Sequence, residues 1–299
     1  MDKQPTIVAL GEVLWDVFPD GPRFGGAPAN VACHAAALGA DARMVSRVGD
    51  DALGKRAFEA LREHGVNTQC VEVDAEHPTG TVQVELDASG KPRFTIGENV
   101  AWDHLAWSES LEQLAARSDA VCFGTLGQRS DDSSSVIRWF VAATPADSLR
   151  ILDVNLRPPF YDQKVIRQSL ELANVLKLSD DELDTVASAC GLSGPENEIL
   201  AELSARYELR MIALSRGSEG ATLAGRNDRS DAEGVSVAVR DTVGAGDAFT
   251  AAMALGLLGG DPIDAINRHA CQVAAFVCSQ SGATPPLPDE LRRDHRGIS

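Results

Sequence analysis

The chain has 299 residues, 44% of them hydrophobic and 24% charged, which is enough globular sequence to bury the core of one large α/β domain. Its 44 acidic side chains outnumber 27 basic ones for a net charge of −17, and a surface that acidic repels phosphate backbones, which argues against nucleic acid as a partner. No run approaches the ~20 apolar residues of a membrane span, the first five residues carry no signal-peptide core, and six cysteines without a Cys-x-x-Cys pair read as free thiols of a cytoplasmic protein.

The first apolar run, 6–10, reads as a strand. Gly11-Glu-Val-Leu-Trp-Asp16 follows it, so Asp16 stands just past the strand's carboxyl end, where doubly wound sheets bind ligands. A surface turn would hold an aspartate equally well. Next comes Phe24-Gly-Gly-Ala-Pro-Ala-Asn30-Val-Ala32. Gly25 and Gly26 permit close approach of backbone to a ligand. Pro28 suits a first helical turn, and Asn30 offers both donor and acceptor, as a polyol demands. A helix is predicted over 28–38, with His34 on the face of Asn30 as a packing or solvent-side residue.

Strand 43–48 and helix 53–64 come next. Between them, Gly49-Asp-Asp-Ala-Leu-Gly-Lys-Arg56 nearly matches a P-loop. Arg56 replaces the Ser or Thr that would hold Mg²⁺, and Asp50 and Asp51 would face the phosphates, so this segment is set aside. From 66 to 96 the pattern is strand after strand. Thr81-Val-Gln-Val-Glu-Leu86 alternates, Asp87-Ala-Ser-Gly-Lys91 turns, and 92–96 returns, which predicts a β-hairpin inserted into an α/β body. A lid over a site is one reason for such a sheet; an edge extension or a dimer contact is another.

Beyond it, strands are predicted at 120–123, 150–154, 175–178, 210–214 and 234–239. Helices are predicted at 108–116, 133–143, 165–172, 180–189, 196–207, 246–258 and 262–279. Strands alternating with helices predict a parallel sheet covered on both faces.

The segment Asp241-Thr-Val-Gly-Ala-Gly-Asp247-Ala-Phe249 opens an Ala-rich helix. Gly244, Ala245 and Gly246 let successive backbone N–H groups converge, and the helix dipole favours an anion there. Asp247 would repel a phosphate, so it makes more sense as a general base taking a proton from a hydroxyl. It would also stabilise a helix N-terminus electrostatically, and spacing alone does not separate the two readings. The third glycine of a dinucleotide fingerprint is missing, since Phe249 stands in its place.

Together these segments resemble the ribokinase-like (PfkB) family of carbohydrate kinases. Gly25-Gly-Ala-Pro-Ala-Asn30 through Val48-Gly-Asp-Asp-Ala-Leu-Gly54 is similar to the family's N-terminal signature, and Asp241 to Phe249 to its C-terminal one. Gly11-Glu-Val-Leu-Trp-Asp-Val-Phe18, Ala101-Trp-Asp103, Gly124-Thr-Leu-Gly-Gln-Arg129 and Asp153-Val-Asn-Leu-Arg-Pro-Pro159 resemble the bacterial fructokinase branch.

The resemblance implies a three-layer sandwich with a mostly parallel sheet, forming one kinase domain with a β lid from insertions at about 12–24 and 66–101. It implies transfer of the γ-phosphoryl group of ATP to a primary hydroxyl of a sugar, most similar to fructose phosphorylation. Asp247 would be the base and Gly244, Ala245 and Gly246 the anion hole, with Arg157 offsetting transition-state charge. Asp16, Gly25, Gly26, Asn30, Gln128 and Arg129 would bind the sugar. The nucleotide side would comprise Asn155, Lys177, Ser179, Glu182, Ser215, Gly217, Gly220, Gly246 and Cys278. Ser179 and Ser215 stand where Asn and Thr are common in the family. Mg²⁺ would arrive with ATP, Glu182 joining its network through water. Many members place a monovalent cation such as K⁺ beside the anion hole, for which Asp241 is the matching carboxylate. A homodimer through the lid is the partner the resemblance implies.

Overall fold

The computed structural model describes residues 4–86 and 92–292. The elements run β1 (Thr6–Leu10), β2 (Leu14–Phe18), β3 (Gly21–Gly25), α1 (Ala27–Ala37), β4 (Asp41–Gly49), α2 (Ala52–Glu63), β5 (Asn67–Asp74), β6 (Gly80–Leu86) and β7 (Pro92–Ile96). They continue with α3 (Glu109–Ala115), β8 (Ala120–Phe123), α4 (Asp131–Ala143), β9 (Leu149–Asp153), α5 (Gln163–Leu172), β10 (Val175–Ser179), α6 (Asp180–Ala189) and α7 (Glu196–Arg206). The chain closes with β11 (Met211–Ser215), β12 (Gly220–Gly225), β13 (Arg229–Glu233), α8 (Ala245–Leu258) and α9 (Ile263–Cys278).

β1 is buried from end to end. Side chains alternate along a strand, so Ile7 and Ala9 face one side and Val8 and Leu10 the other, and both sides need cover. Nine strands form the main sheet in the order β13-β12-β11-β10-β9-β8-β1-β4-β5. All neighbours are parallel except β11–β12 and β12–β13. On one face Ile7, Ile151, Val175 and Met211 pack with Val31 of α1, Phe249 and Met253 of α8 and Val273 of α9. On the other, Val8, Phe123, Leu152, Leu176 and Leu214 pack with Leu114, Phe140, Ile166, Val186 and Leu203 of α3 to α7. Each such side chain stabilises the fold by about 1.5–3 kcal/mol through burial. A second sheet, ordered β3-β2-β6-β7, stands apart from the first.

The predicted helices are all present, with ends shifted by a residue or two. Two strand expectations are corrected. The segment opening at 66 was expected in the inserted sheet, but β5 pairs parallel with β4 at the edge of the main sheet, so the small sheet resumes only at β6. The segment 234–239 forms no strand; the strand that pairs with the outer edge of β12 is β13, whose polar sequence Arg-Ser-Asp-Ala-Glu conceals it. The strands β2 and β3 form an antiparallel pair that joins β6 through β2. The turn predicted at Asp87–Lys91 lies outside the described residues. Asp51, of the rejected P-loop, caps α2 by accepting from Gly54 N at 2.7 Å and also accepts from Thr79 N and Oγ1, both at 2.8 Å.

Helix α8 runs through the interior. Ten consecutive residues from Asp247 to Gly256 are buried. A helix buried all round must be apolar all round, and its run of Ala, Phe, Met and Leu meets that condition. The exceptions are Asp247, in its first turn, and Thr250, whose hydroxyl is hydrogen-bonded. No helix among the described residues is long and apolar enough to cross a membrane.

Candidate active site

The start of α8 is shaped by Gly244, which takes a left-handed conformation at φ 81°. A Cβ there would lie 2.2 Å from the carbonyl oxygen of Ala283. No other residue type fits, and the corner it makes aims the unsatisfied N–H groups of the helix's first turn outward. Gly26 plays a similar part at α1: its φ is 108°, and a Cβ would lie 2.6 Å from the Glu12 carbonyl oxygen. Pro28 follows in the first turn of α1, and Asn30 then faces α8. Asn30 donates from Nδ2 to Oδ2 of Asp247 at 2.8 Å, while its own Oδ1 has no partner among the described residues.

Burial drives the Asp247 carboxyl up to about 7, and the nearby charge of Asp153 adds to this; Asn30, Lys177 and Arg157 pull it back. A carboxylate so placed is a far stronger base than a solvated aspartate and still ionises near neutral pH.

Asp247 lies on the wall of a cavity of about 560 Å³. Glu12, Asp16, Asn30, Asn155, Arg157 and Thr242 are its other polar neighbours, with Lys177 beside them. Val82, Phe94 and Ile96 of the small sheet supply an apolar wall. Burial raises the Asp16 carboxyl above its ordinary range despite Arg157 and Arg23. Polar groups at one end and a hydrophobic wall at the other suit a small polyhydroxylated molecule.

Beneath Gly246 lies a buried polar network. Lys177 Nζ is 3.1 Å from Asp153 Oδ1, and Thr250 Oγ1 donates to Asp153 Oδ2 at 3.0 Å. A Cβ on Gly246 would come within 3.1 Å of Lys177 Nζ, so the ammonium sits directly against the loop. Burial alone would lower the Lys177 ammonium, but Asp153, Glu182 and Asp247 outweigh it and hold the group above its ordinary value. A fixed positive charge at a helix N-terminus is what a transferring phosphoryl group requires.

A second cavity, of about 610 Å³, opens on the opposite side of the same loop. Ser215, Gly217, Gly220 and Cys278 line it, with Val235, Val237 and Val239 from the 234–239 segment. Phe249, Ala274 and Ala275 complete a flat apolar slot. Thr242 and Gly246 belong to both cavities. The two spaces therefore meet at the N-terminus of α8, beside Asp247.

Not every expected residue lines a cavity. Gln128 is buried and donates Nε2 to Gly124 O and Ser169 Oγ, at 2.9 and 2.8 Å. Arg129 forms two 2.7 Å bonds to Asp103, donates to Gly97 O and lies 4.0 Å above the Trp102 ring. It ties the end of β7 to the body, since Gly97 follows Ile96 directly. Glu182 and Ser179 form a capping box on α6; Glu182 also accepts from Leu156 N at 2.7 Å and so holds the turn bearing Asn155 and Arg157. Gly25 ends β3 opposite Leu14. Asp241 accepts from Val243 N and Gly282 N, each at 3.1 Å. Sequence reasoning missed Glu12 and Asp153. Glu12 is 4% exposed, leaves Oε2 without a partner among the described residues, and is pushed by burial to about 7. Its place right after β1 is the signal that could have found it, and Asp16 competes for the same reading. Asp153 ends β9, the equivalent carboxyl end of a parallel strand two places from β1 in the sheet.

Residues 20–290 match the model of the pfkB family of carbohydrate kinases. A fructokinase of Klebsiella pneumoniae is 31% identical, over 96% of this chain and 98% of its own. A fructokinase of Escherichia coli is 30% identical over 83% of each chain. Among solved structures, an uncharacterised sugar kinase from Pyrococcus horikoshii in complex with ATP superposes with a TM-score of 0.81 at 27% identity, covering 97% of this chain and 98% of that one. A Vibrio cholerae fructokinase with fructose, ADP and calcium bound gives 0.81 at 25% identity, with the same coverage. The chain belongs to the pfkB family and has the fold of its ribokinase-like structures: it is a carbohydrate kinase, a phosphotransferase with an alcohol group as acceptor.

Proposed function

We propose that this pfkB-family kinase is a fructokinase: it transfers the γ-phosphoryl group of ATP to a primary hydroxyl of fructose, with Asp247 as general base. The observation that carries the reading is the position of Asp247, buried where two cavities meet and held by Asn30 at 2.8 Å. The small-sheet cavity takes the sugar, and the apolar slot takes the base of the nucleotide. The fructose assignment draws on the fructokinases among its relatives and on the polar groups Asp16, Asn30 and Arg157 around the acceptor space.

The chemistry rests on these positions. The acceptor hydroxyl donates to Asp247 and loses its proton to it as its oxygen attacks the γ-phosphorus in line with the departing ADP. The N–H groups opening α8 and the Lys177 ammonium face the charge that builds on the transferred group. Arg157 adds a positive charge from the turn that Glu182 holds. Closing the small sheet over the sugar would keep water from competing for the phosphoryl group. Among the described residues no group of three carboxylate, histidine or cysteine side chains could hold a metal ion. Mg²⁺ enters with ATP, as a component of that substrate.

The test is an ADP-release assay with ATP and Mg²⁺ across fructose, glucose, mannose, ribose, 2-keto-3-deoxygluconate and adenosine, with and without K⁺. Fructose should give the highest kcat/KM. A higher value for another acceptor would replace the substrate and keep the mechanism. No turnover with any of them would overturn the kinase reading for this chain. The K⁺ arm reads whether the loop at Asp241 takes a monovalent cation.

A further inference from the structure

Three groups from three separate elements converge on the short loop 282–284. Gly282 donates its backbone N–H to Asp241 Oδ2 at 3.1 Å. His34, on α1, holds Nε2 2.9 Å from the carbonyl oxygen of Ala283. His64, just past the end of α2, holds Nε2 3.1 Å from the carbonyl oxygen of Thr284. A carbonyl oxygen only accepts, so each ring that bonds here does so through an Nε2 proton.

The two histidines are not equal. His64 also has the Ala60 carbonyl 2.8 Å from Nδ1, and a neutral ring can donate to only one of its two carbonyls at a time. His34 is 1% exposed. Its burial lowers its pKa to about 4, so the ring stays neutral across the physiological range. A neutral ring with its proton on Nε2 is a fixed, single donor to Ala283.

That carbonyl is the one against which Gly244 is seated. A Cβ on Gly244 would lie 2.2 Å from the Ala283 oxygen and 2.8 Å from its carbonyl carbon. The left-handed corner that starts α8 therefore rests on the atom that His34 holds. One helical turn earlier on α1, Asn30 bonds Asp247 directly. Helix α1 thus grips the phosphoryl-transfer loop at two points: one on the base, one through Ala283 on the anion hole.

We propose that His34 is a positioning residue for phosphoryl transfer. Its Nε2–H fixes the Ala283 carbonyl, which seats Gly244 and keeps the first N–H groups of α8 aimed at the transferring phosphoryl group. The proposal rests on the kinase reading above. Such a role lies in the transition state and leaves ground-state binding of either substrate alone.

Three variants separate this from simple packing. In His34→Gln the amide nitrogen is as many bonds from Cα as His Nε2 and can donate to the same oxygen. In His34→Asn the same amide falls one bond short. In His34→Leu the volume is kept and the donor lost. We expect kcat to fall at least about tenfold in the Leu and Asn variants. KM for sugar and for ATP should stay within about threefold. The Gln variant should recover kcat to within about threefold of the parent. Thermal melts give the folded fraction for each, and the Gln–Asn comparison stands even if the Leu variant does not fold. Equal kcat in the Gln and Asn variants, or losses that only track the folded fraction, would overturn the proposal. An active parent enzyme with unaltered kcat in all three variants would remove this proposal alone. No turnover in the parent would remove the kinase reading and the proposal with it.

Discussion

Asn30 and Asp247 lie 217 positions apart in the chain, and their side chains meet at 2.8 Å in the interior. The bond joins the helix that follows the first hairpin to the helix that opens after Gly244. It also offsets part of the rise that burial imposes on the carboxyl, because a hydrogen bond donated to the charged form favours that form.

This bond makes the rate depend on pH in a defined way. Asp247 titrates near 7 and must be ionised to act as a base, so kcat/KM should rise with pH and level off above about 7. Asn30→Leu removes a donor that holds the carboxyl down. The rising limb should then move to higher pH by up to about one unit. A limb that stays in place, measured in the same ADP-release assay, would show that another group governs it.

Asp247→Asn keeps the shape and removes the base. It should cut kcat by about 10²- to 10⁴-fold. Binding of ADP, measured by calorimetry, should change little, since Asp247 is not part of the apolar slot. A variant with near-parental kcat would end the general-base assignment.

Glu12 makes a prediction about stability. Burial lifts its carboxyl from 4.5 to about 7, so the folded protein holds that proton more tightly than the unfolded chain does. The resulting stabilisation is complete below about 4.5 and is lost as pH rises through 7. At full separation it amounts to about 3 kcal/mol. Glu12→Gln is neutral at every pH, so its stability should exceed that of the parent above pH 7, and the gain should shrink towards pH 4.5. Urea melts at several pH values read the difference, and a gain independent of pH would contradict the buried-carboxyl account.

Arg129 is placed as an anchor and not as a sugar contact. Arg129→Ala leaves the buried Asp103 carboxylate uncompensated and should cost about 3–5 kcal/mol. In the folded fraction, KM for sugar should be close to that of the parent. A rise in KM with stability intact would return Arg129 to the sugar site.

The sequence and the fold agree where a local pattern has a single physical solution. The apolar runs at 6–10 and 175–178 are too short for helices and too apolar for exposure, and both are central strands. The corner at Gly244 was legible because few residue types tolerate its left-handed backbone, whereas Asp247 was marked as a base only by the family resemblance. Legibility failed where the partner decides the outcome. β13 carries a single apolar residue, Ala232, on its inner face, and it is a strand because β12 presents an open edge and α9 covers that face. The reading of β5 as part of the inserted sheet failed for the same reason, since its own pattern does not say which edge it joins. Arg129 was drawn to the sugar because it follows a strand end, whereas Asp103, far along the chain, claims it with two bonds. His34 looked like packing, and only the distant Ala283 carbonyl gives it a partner.

The two cavities draw on the chain differently. The residues of the apolar slot all fall between Ser215 and Cys278, within one continuous stretch of the body. The acceptor space borrows Leu14, Asp16, Val82, Phe94 and Ile96 from the small sheet. On the proposed assignment a nucleotide would meet a finished site whether the small sheet is near or far, while a sugar would meet one only with the sheet in place. Damage to that sheet should then register as lost sugar affinity with nucleotide affinity untouched, and the sugar would be the ligand whose arrival and departure the sheet controls.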